Sequence, residues 1–494
     1  MKKILIINID RNFRSVYVAG LAAAMLKSNK LLKITLIISD QNQALESLGL
    51  FENIHYLDTD KFFETTRKSS NDTTEREIRN FLAPVLHTSW DTVVNLSSNL
   101  LGAYFTYFLK SQEVVGPHFQ GDLVNLKHSN FPSYLLTSMP DEYSNYFHFS
   151  YIYKNVIKVY DQAPLGIDWK NKGSAAFVSK INLLKIENGK IGLVLIDTSI
   201  KKMGDLVHIN FLIDLFGRLR EDERFLPVLL SSNTEEDSFL INRLRDQFQG
   251  EIHLISCRDE AKFCLLDQVS LVITDDLYLK SLADLSLKPS VFIFNGSQLP
   301  LSDFSNVEGS FMIQFNEMSD DLIEAVFKSC ETVLNHLPEN IGKFKDIEIY
   351  QTAIYDQLPI LEPLLGGGQT YAKWLLSLRY LAMIQKKDLP PIHSDHQIYR
   401  VAIDNERKEI KEGFNTQLAA IKIENIHEIS QAFDFNALEQ HHGILSVGIK
   451  TLRYSNDYKN DPKKFLEKLK QLLQDMTEFL NKEESSLGDV QVIS

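Results

Sequence analysis

Residues 270–296, SLVITDDLYLKSLADLSLKPSVFIFNG, decide the fold class of this chain. The stretch begins with a short apolar run, residues 271–274, and ends with a second one, residues 291–294. Between them, residues 277–287 carry apolar side chains at helical spacing. Such a strand–helix–strand unit joins two parallel strands by a right-handed crossover. The loop after the first strand then lies at the carboxyl edge of the sheet, where ligands bind in open α/β sheets.

The same alternation of strands and helices runs through the first two thirds of the chain. Apolar runs predict strands over residues 3–9, 33–39, 53–57 and 91–96 in a first series, and over 190–196, 225–230 and 251–255 in a second. Helical patterns lie between these runs, which is typical of parallel, doubly wound sheets. We therefore predict an α/β fold with two Rossmann-like doubly wound domains, residues 1–175 and 176–345, that face each other across a cleft.

Residues 346–494 have a mostly helical pattern, which predicts a helical C-terminal extension. Segments 351–361 and 371–385 carry apolar residues at steps of three and four, separated by the glycines 366–368. A last helix is predicted to begin at Asp461-Pro462. Its apolar stripe is expected to dock on the protein itself, and the chain after Lys482 is expected to fray.

Composition excludes several classes of protein. The 494 residues carry a formal net charge of −13, which argues against a bulk nucleic-acid binder. Three cysteines without metal-ligand spacing indicate a reducing compartment and are expected to pack as small apolar groups. No apolar run reaches transmembrane length. We predict a cytoplasmic protein, with association with the inner face of the membrane as a further expectation.

Three blocks of sequence resemble an enzyme family. They are KILIINIDRNFRSVYVAGLAAAMLK (residues 3–27), DTVVNLSSNLLGAYFTYFLKSQEVVG (91–116) and KFCLLDQVSLVITDDLYLKSLADLSLKPSVFIFNG (262–296). In order and spacing they are similar to the motifs of glycosyltransferase family 9, the ADP-heptose:lipopolysaccharide heptosyltransferases. The resemblance covers about residues 1–335. It implies a GT-B fold and transfer of a sugar from a nucleotide-diphosphate donor to a glycan or protein acceptor of the cell envelope, without a metal or other cofactor.

The chain departs from the family at the residues that carry the chemistry. The family's first Gly-Asp pair, whose Asp is its proposed general base, is replaced here by Phe13-Arg14. The guanidinium of Arg14 cannot accept a proton at neutral pH. In the donor block, the Thr-Gly pair becomes Leu277-Tyr278 and the His becomes Ser281. A tyrosine side chain would crowd a diphosphate that a glycine lets approach the backbone.

The loop after residue 196 departs as well, because it reads DTSIKKM (residues 197–203) and lacks the family's Pro-Gly. It keeps two hydroxyls and a lysine pair.

The candidate residues fall into three groups. They are Asp10 as a replacement base; Thr198, Ser199, Lys201, Lys202, Asp276 and Ser281 for the donor; and Arg11, Arg14, Ser98 and Asn99 on the acceptor side.

Each candidate also has a structural interpretation. Asp10 and Asp276 both precede helices, so either carboxylate could cap a helix instead. The lysine pair, Lys201-Lys202, could be simply solvated, and residues 97–99 (SSN) form an ordinary helix start. The histidines of the HSDH segment (393–396) lack a convergent carboxylate or cysteine, which disfavours a metal site.

Two functional hypotheses remain. In the first, the chain is a divergent family 9-like glycosyltransferase. In the second, it is a catalytically inactive GT-B scaffold that binds a protein partner, or a second copy of itself, through residues 346–494. The combined loss of the base and of two donor contacts leaves open whether the chain is an enzyme.

Overall fold

Both sheets belong to one structural unit of the chain, and the last helices belong to a second unit. This structure is a computed structural model. It describes residues 2–10, 18–20, 22–23, 32–39, 45, 50–67, 71–120, 123–125, 153, 156–157, 192–197, 206–231, 235–249, 252–256, 259–295, 303–335, 344–355, 358–365, 368–384, 388–392, 396–420 and 462–488.

The first sheet is built by the N-terminal part of the chain. Its strands are β1 (Lys2–Asn8), β2 (Leu32–Ser39), β3 (Asn53–Leu57), β4 (Ser89–Asn95) and β5 (Lys110–Val115), with helices α1 (Thr59–Arg67), α2 (Asn71–Leu86) and α3 (Leu100–Phe108). All pairs are parallel and the order is β3-β2-β1-β4-β5. The order reverses between β1 and β4, which is the topological switch point. A short antiparallel hairpin follows, β6 (His118–Gln120) and β7 (Leu123–Asn125).

The second sheet has eight strands and a longer set of helices. They are β8 (Gly192–Asp197), α4 (Leu206–Glu221), β9 (Phe225–Ser231), α5 (Glu235–Gln247), β10 (His253–Ser256), α6 (Asp259–Gln268), β11 (Leu271–Thr274), α7 (Leu277–Leu285), β12 (Ser290–Asn295), β13 (Phe311–Phe315), α8 (Asp320–Asn335), β14 (Ile347–Tyr355) and β15 (Leu358–Leu365). The order is β10-β9-β8-β11-β12-β13-β14-β15, parallel through β13. Its switch point lies between β8 and β11.

The predicted α/β class with two separate sheets is thus confirmed. The central strands are apolar on both faces because helices cover them. In the first sheet Leu5, Ile7 and Val93 are fully buried, and every residue of β8 and β11 is buried in the second. Such strands leave room for polar side chains only at their ends.

The helix predicted over residues 351–361 is wrong. That segment belongs to β14 and β15, an antiparallel hairpin that extends the second sheet beyond β13. Pro359 and Pro363 lie in β15, and prolines disfavour a helix interior but are accepted in an edge strand. Strand β13 and helix α1 were not predicted.

The second unit contains three described helices, α9 (Gln369–Ile384), α10 (His396–Ala420) and α11 (Pro462–Gly488). Met476, Phe479 and Leu480 of α11 are at most 2% exposed, so the prediction that its apolar stripe docks on the protein itself is confirmed there. The predicted fraying after Lys482 is wrong for residues 483–488, because α11 continues to Gly488 and Leu487 is buried. Residues 489–494 lie outside the described residues.

A buried ionic cluster ties these three helices together. The guanidinium of Arg379 on α9 donates to both carboxylate oxygens of Glu483 on α11, at 2.7 and 3.0 Å. The hydroxyl of Tyr399 on α10 donates to the same carboxylate at 2.8 Å. A bidentate, charge-assisted pair with a third donor adds geometric specificity to the packing of these helices.

A second buried ion pair fixes α7, the helix that starts at the switch point of the second sheet. Lys280 and Asp284 are both 0% exposed, and the Lys280 ammonium donates to Asp284 Oδ2 at 2.8 Å and to Phe304 O at 3.0 Å. Ser305 Oγ donates to Asp284 Oδ1 at 2.5 Å. Burial raises the pKa of the Asp284 carboxyl, and the Lys280 ammonium and Ser305 hydroxyl oppose that rise. The pair thus anchors α7 to the segment between β12 and β13.

Replacing Lys280 by Met should lower the free energy of unfolding by about 3–5 kcal/mol, because it leaves the Asp284 carboxylate buried without its cation. The double variant Lys280→Met/Asp284→Leu should recover much of that loss. Urea denaturation of the three proteins measures both values. A single variant as stable as the wild type would show that the pair does not hold α7.

Cys330 on α8 bears out the prediction that the cysteines pack as apolar groups, since it is 0% exposed. The side chains of Cys257 and Cys264 lie outside the description. Burial raises the pKa of the Cys330 thiol, which keeps it protonated and therefore weakly nucleophilic at pH 8.

In a Cys257→Ser/Cys264→Ser variant, Cys330 should stay unlabelled by a thiol reagent such as DTNB at pH 8 and react fully in urea. The time course of labelling is the measurement. Rapid labelling of the folded variant would mean that α8 opens or that the thiol is ionised.

Candidate functional site

The switch point of the first sheet is marked by a buried carboxylate. Asp10 follows β1 by two residues and is 6% exposed. Its carboxylate accepts hydrogen bonds from the backbone N–H of Ser98, at 2.8 and 3.1 Å to its two oxygens, and from Asn99 Nδ2 at 2.7 Å. The end of β1 is thereby tied to the loop that follows β4, on the other side of the switch point.

That loop is itself tightly built. Ser97 N donates to Asn95 Oδ1 at 3.1 Å, and Ile9 N donates to Ser97 Oγ at 3.2 Å. Asn99 caps α3 by accepting from Gly102 N at 3.0 Å. A Cβ on Gly102 would lie 2.4 Å from Ser97 Cβ, so only glycine allows the helix to approach the loop this closely.

The switch point of the second sheet has the same arrangement. Asp197 is the last residue of β8 and is 7% exposed. Thr274, the last residue of β11, donates from Oγ1 to Asp197 Oδ2 at 3.0 Å, and its Oγ1 accepts from Asp276 N at 2.9 Å. Asp276 is the N-cap of α7 and accepts from Tyr278 N at 3.0 Å. The capping interpretation of Asp276 is therefore correct.

Two further side chains of α7 have defined positions. The ring of Tyr278 is partly buried, and the Lys262 ammonium of α6 lies 5.8 Å from its centroid. Ser281, predicted to contact the donor, is 1% exposed and donates from Oγ to Leu277 O at 2.7 Å. Its hydroxyl is used inside the helix.

The structure therefore brings some predicted site residues together and leaves others undescribed. Asp10, Ser98 and Asn99 form one hydrogen-bonded group, and Asp276 belongs to the group at the second switch point. The remaining candidates lie outside the described residues: Arg11, Arg14, Thr198, Ser199, Lys201 and Lys202.

The role of Thr274 was missed from the sequence, as was its bond to Asp197. Both residues are polar positions that close apolar runs, GLVLID and LVIT. Polar ends on two strands that flank a switch point are the signal that could have indicated them.

Two features are absent from the described part of the chain. It contains no group of three or more His, Cys, Asp or Glu side chains that could hold a metal ion. Nor does any helix in it combine the length and apolarity that crossing a membrane requires.

No protein-family model matches the sequence, and no curated protein matches it significantly. Among solved structures, the chain is similar to the E. coli heptosyltransferase WaaC with ADP (13% identity, 67% of this chain, 99% of that chain, TM-score 0.46). It is also similar to a family 9 glycosyl transferase from Veillonella parvula DSM 2008 (14%, 68%, 98%, 0.46) and to E. coli ADP-heptose lipopolysaccharide heptosyltransferase II (12%, 68%, 99%, 0.41). The family that the sequence motifs resemble is thus among these structures.

Asp10→Asn should lower the free energy of unfolding by about 1–3 kcal/mol, because either orientation of the amide turns its NH₂ group toward a donor, Ser98 N–H or Asn99 Nδ2. Asp91→Asn is the matched control. The Asp91 carboxylate is shown accepting one hydrogen bond, from Lys3 N at 2.7 Å, which an amide oxygen can also accept. Equal stability of the two variants in urea would contradict the placement of Asp10.

Proposed function

We propose that this chain is a glycosyltransferase-like protein that binds a nucleotide-diphosphate sugar at the switch point of its second sheet. The acceptor, a glycan or a protein, is assigned to the switch point of the first. The donor's diphosphate is assigned to Thr198, Ser199, Lys201 and Lys202, and its hydroxyl-bearing part to the edge formed by Asp197 and Thr274.

One observation carries the proposal. In each sheet the first strand leads to a buried carboxylate, Asp10 or Asp197, that accepts at least one hydrogen bond from across the switch point. An ionised carboxylate accepts hydrogen bonds and offers about four lone-pair directions. Carboxylates held in this way suit the hydroxyl groups of sugars and ribose better than they suit phosphates, whose charge they would repel.

Transfer would follow a divergent mechanism. A general base must accept a proton from the acceptor hydroxyl. The Asp10 carboxylate is 6% exposed and already accepts hydrogen bonds from Ser98 N–H and Asn99 Nδ2. Asp10 therefore supports the proposal as a residue that positions the acceptor-side loop.

The loss of the family's general base, whose position is taken by Arg14, favours a second candidate function, a binding or assembly module without turnover. The helices of the second unit are joined by their own buried ionic cluster, formed by Arg379, Tyr399 and Glu483. This unit would bind the protein partner or the second copy. Turnover distinguishes the two functions, because the module acts through residues 346–494 and needs no transfer step.

Calorimetry of the full chain against ADP, UDP and their sugar conjugates tests the donor site, and release of free nucleotide in the presence of glycan acceptors tests turnover. We expect binding with dissociation constants below about 1 mM. Binding with nucleotide release supports the transferase, and binding without release supports the module. No binding of any nucleotide or nucleotide sugar at millimolar concentration would contradict the assignment of the diphosphate and that of the hydroxyl-bearing part of the donor.

Thr274→Val should weaken nucleotide-sugar binding by about tenfold, because it removes the donor to Asp197 and the acceptor for Asp276 N while keeping the shape of the side chain. Thr332→Val is the matched control. Thr332 is also buried and donates only within α8, to Lys328 O at 3.0 Å. Equal affinities of the two variants in the same calorimetric titration would argue against a donor site at this edge.

A further inference from the structure

The outer face of α3 carries an exposed aromatic stripe. Leu100 and Tyr107 are each 56% exposed, and Tyr104 lies between them and is partly exposed. The three residues are four and then three positions apart, so they lie on one face of the helix. We call Leu100, Tyr104 and Tyr107 the aromatic stripe.

The rings of the stripe are held in a fixed orientation. Tyr104 and Tyr107 are parallel within 2°, with centroids 6.2 Å apart. The Tyr104 ring meets Phe108 and Phe119 edge to face, with centroids 5.3 and 5.5 Å away. These contacts fix Tyr104 from behind, so little side-chain entropy is lost when a ligand packs on the stripe.

The charges around the stripe favour a neutral ligand. The Asp10 carboxylate lies beside the N-terminus of α3, through its bonds to Ser98 and Asn99, and offsets the partial positive charge of that helix end. Arg79, which stacks on Phe108 at 4.9 Å, is paired with Glu75 at 2.8 Å. These charges are therefore already compensated, and they give an anionic ligand little attraction.

We propose that the aromatic stripe binds neutral sugar rings of a saccharide acceptor. The stripe starts directly after the Ser98–Asn99 loop, and from Leu100 to Tyr107 it runs for about 10 Å along the helix, roughly the span of a disaccharide. The C–H face of a pyranose packs on an aromatic ring, while its hydroxyls reach water or polar side chains. The inference deepens the proposed function and rests on it, since it narrows the acceptor to neutral saccharides.

The test is calorimetry of the full-length protein with maltotriose, mannotriose and chitotriose, and with sialyllactose as an anionic probe. We expect at least one neutral trisaccharide to bind. Tyr107→Ala should weaken that binding by about tenfold, the size of one aromatic contact, and Tyr107→Phe should retain it. Phe239→Ala is the matched control, since Phe239 is an aromatic residue of α5 that is 48% exposed.

Three results would overturn the inference. They are no trisaccharide binding at about 10 mM, equal binding by Tyr107→Ala and wild type, and a sedimentation shift showing that Tyr107→Ala breaks a dimer. Nucleotide-sugar titration of the same variants keeps the two proposals apart. If Tyr107→Ala loses the saccharide but keeps the nucleotide sugar, both proposals stand. If wild type binds the saccharide and no nucleotide sugar, the donor assignment fails while the stripe stands.

Discussion

A carboxylate buried at the end of a sheet must find hydrogen-bond donors, and the architecture of this chain depends on where they come from. The Asp10 carboxylate accepts hydrogen bonds from Ser98 and Asn99, and the Asp197 carboxylate accepts one from Thr274. In the first sheet the hydrogen-bond donors lie just beyond the end of β4, which is the neighbour of β1 across the switch point. In the second sheet the donor is the last residue of β11, which is the neighbour of β8 across the switch point. An unpaired carboxylate in either position would cost several kcal/mol, of the order of a domain's net stability. Each pair therefore fixes the ends of the two strands that flank the switch point.

The rest of the first unit positions these two edges. Strands buried on both faces have mainly apolar side chains in the middle of each sheet, and Asp10, Asp197 and Thr274 lie at or just beyond the strand ends. Helix α7, which starts at the second edge, is held by the Lys280–Asp284 pair and by its link to Phe304 O. A buried ion pair adds little stability compared with apolar packing, but it allows few alternative arrangements. The helix start therefore keeps its position relative to β11.

Much of the fold was predictable because strong local signals agreed with it. Continuous apolar runs identified the central strands, and turn and cap residues such as Asp276 identified the helix starts. The hairpin at residues 347–365 was mispredicted because a three-and-four spacing also occurs by chance in strands, and Pro359 and Pro363 were the contrary signal. The site was less predictable. The bond between Asp10 and Ser98 joins residues 88 positions apart, and no local pattern specifies such a pairing. Thr274 was read as part of an apolar run, although its hydroxyl connects two strands.

The claim that the second edge is a nucleotide-sugar site, organised by Asp197 and Thr274, can be tested by hydrogen exchange. Amide exchange of the full chain, followed by mass spectrometry with and without saturating nucleotide sugar, reports protection peptide by peptide. The account predicts slower exchange in the peptides that contain the end of β8 and the turn from β11 into α7. Unchanged exchange in both peptides, with protection confined to the first sheet or to the helical unit, would contradict it.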